Sequence, residues 1–522
     1  MIEMTLREVA EVVGGTLHDV PDPAVTVTGA VEFDSRRISP GDLFLALPGE
    51  HVDGHDYAAA AVAAGAVAVL ATRPVGVPAI VVTPLATPAT RALALAHDSD
   101  GSGAAVLAAL ATLARANVDR LVAAGGLTVV GVTGSSGKTS TKDLLAQVLG
   151  ALGPVVAPPG SFNNELGHPW TVLRADAGTR FLVLELSARG HGHIKALTEI
   201  APPSIGVVLN VGTAHLGEFG GREAIAQAKG ELVEALPATG VAVLNADDPN
   251  VLAMASRTVA RVVTVGQSAG AAVRASDIQL DEAARARFTL HANGSRAEVR
   301  LGVHGEHQVG NALSAAAVAL ECGADLATVA ASLSEAKAVS AHRMDVRTRA
   351  DGVTVVNDAY NANPDSVRAA LKALVTMSRT GDTPAGQPRR SWAVLGEMAE
   401  LGDDAVIEHD RIGRLVVRLD VDRLIVVGTD RPARALHQGA VQEGSWGEES
   451  VLVPDIGAAL ELLDAEVAAG DVVLVKASNS AGLWKVAEHL VAAGPGRSQS
   501  STPPASQSDV PVASQSDTEA AR

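Results

Sequence analysis

Residues 127–150, LTVVGVTGSSGKTSTKDLLAQVLG, place an apolar strand, a glycine turn and a helix in direct succession. Gly134 and Gly137 allow a tight turn, and a helix that begins near Lys138 directs free amides and a partial positive charge at an anion. This order is typical of a phosphate-binding loop. The spacing departs from G-x-x-x-x-G-K-[ST], because Val132 stands five residues before Gly137. An ordinary turn between a strand and a helix is the alternative interpretation.

The loop predicts that the chain binds ATP. We expect Lys138 to reach the β- and γ-phosphates and the hydroxyl of Thr139 to face Mg²⁺. The complete predicted ATP loop consists of Gly134, Ser135, Ser136, Gly137, Lys138, Thr139 and Ser140.

Composition narrows the classes of partner and compartment. The net charge of −18 argues against nucleic acid or an anionic membrane as the main partner, because both require basic surfaces. Cys322 is the only cysteine, so an intrachain disulfide is excluded. The first residues are acidic where a signal peptide would be basic, and the alanine-rich run 58–71 is too short to span a bilayer. We expect a cytoplasmic protein without membrane insertion.

Strand and helix patterns alternate in two separate blocks. FLVLEL, IGVVLNV, VAVLN and RVVTVG follow the loop, and VTVVN, WAVLG, RLIVVG and VVLVKAS come after residue 335. Both blocks predict mostly parallel, doubly wound sheets. The 522 residues also exceed one hydrophobic core. We therefore expect an α/β protein of three domains at 1–103, 104–335 and 336–495, with a disordered Ser/Gln/Pro-rich tail at 496–522.

Two side chains should face the loop, because the carboxyl ends of parallel strands share one edge of a sheet. FLVLEL ends at Glu185, and IGVVLNV runs on to His215. A strand-end carboxylate is costly to bury unless a cation pairs with it, and Mg²⁺ is the obvious candidate. Backbone amides are the alternative partners of Glu185. For His215 alone, a hydrogen-bonded loop histidine is the favoured interpretation.

Lys229 shares a helical apolar stripe with Ile225, Leu232 and Leu236, at spacings of four, three and four. In one interpretation its stem lies along apolar surface while its amine reaches water. In the other, partial burial lowers the pKa of the amine, which then reacts with CO₂ to give a carbamate. A carbamate is an anion that can ligate Mg²⁺. The pattern leaves both interpretations open.

TGSSGKTS, FNNELG, NVGTAHLGEFG and QAKGEL resemble the motifs of the ATP-dependent Mur ligases of peptidoglycan synthesis, and the resemblance covers nearly the whole chain except the tail. It implies a central P-loop ATPase-like domain between an N-terminal UDP-binding α/β domain and a C-terminal Rossmann-like domain. The implied catalytic residues are Lys138, Lys229, His215 and Glu185. The implied magnesium ligands are Thr139, Glu185, His215 and the carbamate of Lys229. Asn311, Arg343 and Asp358 match residues that contact ATP.

The opening domain resembles the uridine-diphosphate-binding domain of some Mur ligases through FDSRRISPGDLFLALPGEHVDGHDYAAAA. This implies that Ser35 and Arg36 bind the UDP-linked substrate, together with Asn163 and Asn164 of FNNELG. Folylpolyglutamate synthase, which shares the central motifs, lacks such a domain.

The last domain resembles the family members that add D-alanyl-D-alanine, through NDAYNANPDSVRAAL. The D-N-P-R motif of the diaminopimelate-adding members is absent from the sequence. The resemblance implies that Tyr360, Asn361 and Asn363 bind the dipeptide. Helix capping by Asn363 and Pro364 is the alternative explanation of this segment.

The implied reaction joins the carboxylate of UDP-N-acetylmuramoyl-tripeptide to D-alanyl-D-alanine through an acyl phosphate made with ATP, in an enzyme expected to be a monomer. A third-residue-adding Mur ligase, a folylpolyglutamate synthase-like ligase and a non-catalytic nucleotide-binding scaffold are the competing interpretations. ELSARGHGHI departs from the usual family pattern at Ser187, Arg189 and His193, and KASNS departs from K-G-S-R. The departures concern local substrate contacts and leave the predicted ATP and metal positions intact.

Overall fold

The computed structural model describes residues 1–49, 52–85, 98, 100–212, 221–380, 388–444, 447 and 449–492. The strands of this part of the chain are β1 Met4–Thr5, β2 Thr16–His18, β3 Thr26–Val27, β4 Val31–Glu32, β5 Leu43–Leu45, β6 Ala68–Ala71, β7 Ala79–Val81, β8 Thr128–Thr133, β9 Val155–Val156, β10 Phe181–Glu185, β11 Ile205–Val208, β12 Val241–Asn245, β13 Arg261–Gly266, β14 Val273–Leu280, β15 Arg285–Ala292, β16 Ser295–His304, β17 Asp345–Thr348, β18 Thr354–Asn357, β19 Ser391–Leu395, β20 Arg423–Val427, β21 Ser450–Val453 and β22 Val472–Lys476.

The helices of the same residues are α1 Leu6–Val13, α2 Ala58–Ala64, α3 Ser102–Ala123, α4 Lys138–Gly150, α5 Gly167–Val172, α6 His193–Ile200, α7 Arg222–Glu234, α8 Pro249–Ala253, α9 Gln308–Glu321, α10 Leu326–Glu335, α11 Pro364–Arg379, α12 Ala405–Arg418, α13 Arg431–Glu443, α14 Ile456–Glu466 and α15 Trp484–Ala492. None of these helices is both long enough and apolar enough to cross a bilayer.

The central sheet places the phosphate loop between two other strand ends. Its described strands run in the order β16-β15-β14-β13-β12-β11-β8-β10-β9, and all neighbours from β14 to β9 are parallel. Strand β8, which leads into the loop, therefore lies between β11 and β10. Glu185 pairs in register with Val132, and Val208 pairs with Thr133. The segments that leave these three strands consequently meet at one edge.

The central sheet also carries an antiparallel extension, formed by β14, β15 and β16. The expectation of a mostly parallel sheet missed these strands. In β15, Ala286, Phe288, Leu290 and Ala292 are buried and alternate with exposed or half-buried residues. This alternation of period two is typical of an antiparallel strand with one solvated face, and it was readable in RARFTLHA.

The C-terminal sheet is doubly wound, as the sequence predicts. Its order is β17-β18-β22-β19-β20-β21, with β17 as an antiparallel edge strand and the other neighbours parallel. Along β19, Trp392 and Val394 enter one hydrophobic core while Ala393 and Leu395 enter another. Both faces of the sheet are therefore covered.

The N-terminal part forms a sheet of order β2-β7-β6-β5-β4 that packs closely on the central domain. Helix α3, from Ser102 to Ala123, shares one apolar core with strands of both parts. The Trp170 indole N–H donates to the carbonyl of Val31 at 2.9 Å. The domain boundaries at 103/104 and 335/336 stay predictions, and the tail from 496 lies outside the described residues.

The segment that joins the central and C-terminal domains is anchored on α4. Gln147 exchanges two hydrogen bonds with the backbone of Lys337, each of 3.0 Å, and Asp143 accepts from the amide of Ser340 at 3.1 Å. His342 and Met344, which follow, have φ angles of 57° and 50°. The connecting segment therefore runs from its anchor on α4 through two residues with left-handed backbone conformation, and β17 begins directly after them.

Candidate active site

Asn210 holds the phosphate loop in shape. Its Oδ1 accepts from the amides of Ser135 and Ser136 at 2.9 and 3.0 Å, and its Nδ2 donates to the carbonyl of Ser136 at 3.1 Å. These two amides are already bonded, whereas the first amides of α4 have no partner within the helix and can donate to an anion. Sequence reasoning missed Asn210, although its position just after β11 is the same signal that indicated Glu185.

Gly137 is required where the loop enters α4. Its φ is 81°, and a Cβ at this position would lie 2.6 Å from Oδ1 of Asn311. Asn311 is held in turn by a bond from its Nδ2 to Gln308 at 2.8 Å. The predicted adenine-side asparagine therefore packs directly on the loop.

The Lys138 amine lies within the loop and donates to the carbonyl of Gly134 at 2.9 Å. Burial lowers the pKa of this amine, and the negative charge of Glu185 opposes that effect. The position suits a cation that turns toward bound phosphate.

Oxygen atoms converge beside the loop, around the Thr139 hydroxyl. This hydroxyl donates to Oε2 of Glu185 at 2.9 Å and lies 2.9 Å from the hydroxyl of Ser161. The other oxygen of Glu185 accepts from Nδ2 of Asn163 at 2.7 Å. The alternative of backbone partners for Glu185 is wrong in this structure, since side chains occupy both of its oxygens. Sequence reasoning did not find Ser161.

These donors fit Mg²⁺, which prefers oxygen ligands and usually retains several waters while it binds phosphate. No group of three or more His, Cys, Asp or Glu side chains that could hold a metal occurs within the described ranges. One carboxylate with hydroxyl neighbours matches an ion that takes its remaining ligands from a nucleotide. His215 lies outside the described residues.

Lys229 is buried, with 4% of its surface exposed, on the same stripe of α7 as Ile225 and Leu232. The interpretation in which its amine reaches water is therefore wrong. Burial lowers the pKa of this amine well below its usual value, and repulsion from Lys138 lowers it further. A neutral amine at this position is the form that reacts with CO₂.

Arg343 brings a positive charge from the C-terminal side to the same oxygens. Its Nη2 donates to Ser161 at 3.1 Å and to Thr139 at 3.4 Å. The guanidinium lies over the ring of Tyr360, 4.2 Å from the ring centre. Its Nε is buried and has no partner among the residues described. Tyr360 thus supports the arginine, and its predicted contact with the dipeptide stays a prediction.

Lys476 organises the segment that follows β18. Its amine donates to Oδ2 of Asp358 at 2.6 Å and to the carbonyl of Asn361 at 2.8 Å. Asp358 also accepts from the amide of Met344 at 3.1 Å. Burial lowers the pKa of Lys476, although Asp358 acts in the opposite direction. Sequence reasoning missed Lys476 as a site residue, despite its position at the end of an apolar strand.

Asn363 has two roles in the structure. Its Oδ1 caps α11 by accepting from the amide of Ser366 at 2.9 Å, and its Nδ2 contacts the carbonyl of Ser135 at 3.4 Å. The capping interpretation is therefore confirmed. The same side chain also joins the C-terminal domain to the phosphate loop.

A cavity of about 1380 Å³ lies between the three domains. Among the described residues predicted for the site, only Ser35, Arg36, Gly134 and Lys229 do not line it. Arg36 instead forms a double hydrogen bond with Asp34, both at 2.8 Å, with its side chain 62% exposed. The fold therefore brings the predicted ATP and dipeptide residues together with Asn163 and Asn164. Ser35 and Arg36 of the N-terminal domain do not line this cavity.

All three parts of the chain match models of known protein families. Residues 132–319 match the Mur ligase middle domain, residues 342–479 match the Mur ligase, glutamate ligase domain, and residues 28–117 match the Mur ligase family, catalytic domain. The chain belongs to the Mur ligase family. Enzymes of this family depend on ATP.

Individual Mur ligases are similar over most of their length. The UDP-N-acetylmuramoyl-tripeptide--D-alanyl-D-alanine ligase of Mycobacterium tuberculosis (strain ATCC 25618 / H37Rv) is 65% identical over 506 residues, or 94% of this chain and 98% of that protein. A crystal structure of MurF from Acinetobacter baumannii has a TM-score of 0.78 at 29% identity, covering 94% of this chain and 99% of the other. MurF from Thermotoga maritima, solved in complex with ADP, has a TM-score of 0.71 at 30% identity, with coverages of 88% and 97%.

Proposed function

We propose that this Mur ligase adds D-alanyl-D-alanine to UDP-N-acetylmuramoyl-tripeptide with the cleavage of ATP, giving the pentapeptide precursor of peptidoglycan. The observation that carries the proposal is the single cavity in which the phosphate loop, Glu185 and the segment 358–363 meet. The 65% identity to the mycobacterial ligase of that name supports the same assignment.

The chemistry begins with a carboxylate, which resists attack by an amine because its leaving group is poor. An oxygen of the terminal carboxylate of the tripeptide attacks the γ-phosphorus of ATP, the bond to ADP breaks, and an acyl phosphate forms. The neutral amine of D-alanyl-D-alanine then attacks the acyl carbon, inorganic phosphate leaves, and the nitrogen loses a proton. Holding the reactants in line can contribute roughly 7–11 kcal/mol to such a step.

Positive groups from two domains stabilise the transferring phosphate. Lys138 and the first amides of α4 come from the central domain, and Arg343 comes from the C-terminal side. Tyr360 and Ser161 hold the guanidinium in place. Because the charges lie in a partly enclosed cavity, they act more strongly than they would in water.

The residues placed to hold Mg²⁺ are Thr139, Ser161 and Glu185, and the ion would neutralise charge on the phosphates. A carbamate on Lys229 deepens this proposal. Two buried cationic amines repel each other, whereas an anionic carbamate beside Lys138 would attract it. The role of His215 as a further ligand stays a prediction.

Substrate contacts at the outer domains are part of the proposal. Asn361, Asn363 and Asn164 line the same cavity, and Asn363 contacts the phosphate loop at Ser135, where the dipeptide would meet the loop. The contacts of Ser35 and Arg36 with the uridine diphosphate, the cytoplasmic location and the monomeric state stay predictions.

The proposal is tested by supplying UDP-tripeptides and dipeptides in a matrix and measuring ADP and phosphate. D-Alanyl-D-alanine should support turnover, and its failure with every UDP-tripeptide would refute the assignment. Lys138→Ala should lower kcat by at least about a hundredfold, since removal of one transition-state donor costs roughly that much. Lys372→Ala, which removes an exposed lysine of α11, is the matched control. Normal ADP formation by Lys138→Ala would contradict the role of the loop.

A further inference from the structure

The segment between β10 and α6 carries an arginine that the proposed reaction does not use. Arg189 lines the cavity, and its Nη2 lies 3.7 Å from Oε1 of Glu400, in the segment after β19. The two side chains are 31% and 29% exposed. One belongs to the central domain and the other to the C-terminal domain, so the pair exists only while the two domains are together.

The ion pair between Arg189 and Glu400 adds little to the stability of the folded protein. An ion pair with this exposure contributes little to folding. The separation of 3.7 Å also exceeds the usual charge-assisted hydrogen bond, of about 2.7–2.9 Å. Glu400 has a φ of 63°, in the left-handed region that non-glycine residues rarely adopt and that occurs often at ligand sites. A loosely joined pair on a strained residue at a cavity wall indicates a binding role.

The charges of Arg189 and Glu400 indicate which kind of ligand the pair can bind. A guanidinium and a carboxylate side by side are complementary to a zwitterion whose own carboxylate and ammonium are adjacent. An α-amino-acid head group has this arrangement. The incoming dipeptide does not match it, because a peptide unit separates its two charges and its amine must be neutral to react. The remaining candidate is the side chain of the third residue of the tripeptide.

Glu400 lines the same cavity as Lys138 and the phosphate loop. The negative charge of Glu400 also acts against the lowering of the pKa of Lys138 by burial. A side chain that begins next to the activated carboxylate therefore starts near this pair.

We propose that Arg189 and Glu400 bind the distal α-amino-acid head group of a diaminopimelate-type third residue, with Arg189 on its carboxylate and Glu400 on its ammonium. The inference rests on the proposed function and adds the class of tripeptide. A lysine in the third position offers the ammonium alone and leaves Arg189 without its ligand. The pair is thus a specificity determinant for the third residue.

The test compares two UDP-N-acetylmuramoyl-tripeptides, one with diaminopimelate and one with lysine, at saturating ATP and D-alanyl-D-alanine. The readout is the ratio of their kcat/KM values, in which the concentration of folded enzyme cancels. Wild type should favour diaminopimelate by about tenfold or more, the contribution expected of one charged hydrogen bond. Arg189→Gln should bring the ratio close to one. Lys195→Ala removes an exposed cation of α6 that pairs with Glu199, and it should keep the wild-type ratio.

Glu400→Gln completes the design, because both substrates carry the ammonium. It should raise KM for both tripeptides and change the ratio less than Arg189→Gln does. A wild-type ratio near one, or an unchanged ratio in Arg189→Gln with both substrates impaired equally, would overturn the inference and leave the ligase function standing. Absence of turnover with both tripeptides in wild type would instead refute the proposed function.

Discussion

Replacing Asn210 by alanine should uncouple the phosphate loop from the strand beside it. The substitution removes the side-chain acceptor of the Ser135 and Ser136 amides and the donor to the carbonyl of Ser136. It leaves the bond from the Ser135 amide to the backbone carbonyl of residue 210, at 3.2 Å. Three hydrogen bonds of about 0.5–1.5 kcal/mol each predict a loss of about 2–4 kcal/mol in the free energy of unfolding.

The same loss affects nucleotide binding, because the loop is then free to adopt conformations that do not accept phosphate. If about 1.5–2 kcal/mol of the loss appears as loop freedom, kcat/KM for ATP should fall roughly ten- to thirtyfold. At saturating ATP, kcat should fall less, since bound nucleotide restores the loop.

Asn117→Ala is the matched control. Asn117 is buried in α3 and also makes three hydrogen bonds, with Ile2, Val172 and Ala175 at 2.9, 3.4 and 3.0 Å, away from the cavity. Urea unfolding and ATP-dependent phosphate release should be measured on both variants. Similar losses of stability with kcat/KM for ATP within threefold of wild type in Asn210→Ala would refute the reasoning.

Two other substitutions examine buried groups. Lys229→Ala should lose most of its ligase activity and regain part of it when short carboxylic acids are added, because they replace the carbamate anion; full activity without rescue would count against the carbamate, and phosphate release measures both. His168 is fully buried, and burial lowers its pKa from 6.5 to about 4, an effect that an interaction with the backbone of Leu197 only partly opposes. Unfolded chains therefore take up a proton before the folded protein does, and stability present above pH 6.5 should be lost as the pH falls to 4. The difference amounts to about 3 kcal/mol. The free energy of unfolding, measured with urea between pH 4 and 7, should depend less steeply on pH in His168→Asn than in wild type. An equally steep dependence in the two proteins would contradict a lowered pKa of His168.

Local patterns predicted the parts of the site that lie within single strand-to-helix turns. Glu185 was found because a carboxylate at the end of a buried strand needs a partner. The helical stripe of α7 placed Lys229 among apolar side chains but left open whether its amine is buried or reaches water. Asn210 and Lys476 obey the same strand-end rule, but an amide and a lysine at such positions do not by themselves indicate what they bind.

Local sequence patterns did not predict the contacts between domains. Arg343 meets Thr139 and Ser161 across about two hundred residues of sequence, and the packing of Tyr360 on that arginine depends on the left-handed backbone of the connecting segment. Periodicity reports which face of an element is apolar, whereas the relative placement of two domains depends on side chains far apart in the chain. The pairing of Arg189 with Glu400 belongs to the same class.

The anchored connection on α4 has a consequence for the control of ATP use. Lys337 and Ser340 are tied to the helix that follows the phosphate loop, so a swing of the C-terminal domain must pivot just beyond them. Arg343 lies within that pivot. The guanidinium that contacts Thr139 and Ser161 therefore belongs to the connection between the two domains. The position of the charge proposed to promote phosphoryl transfer thus depends on how the domain with the proposed dipeptide site is joined to the phosphate loop.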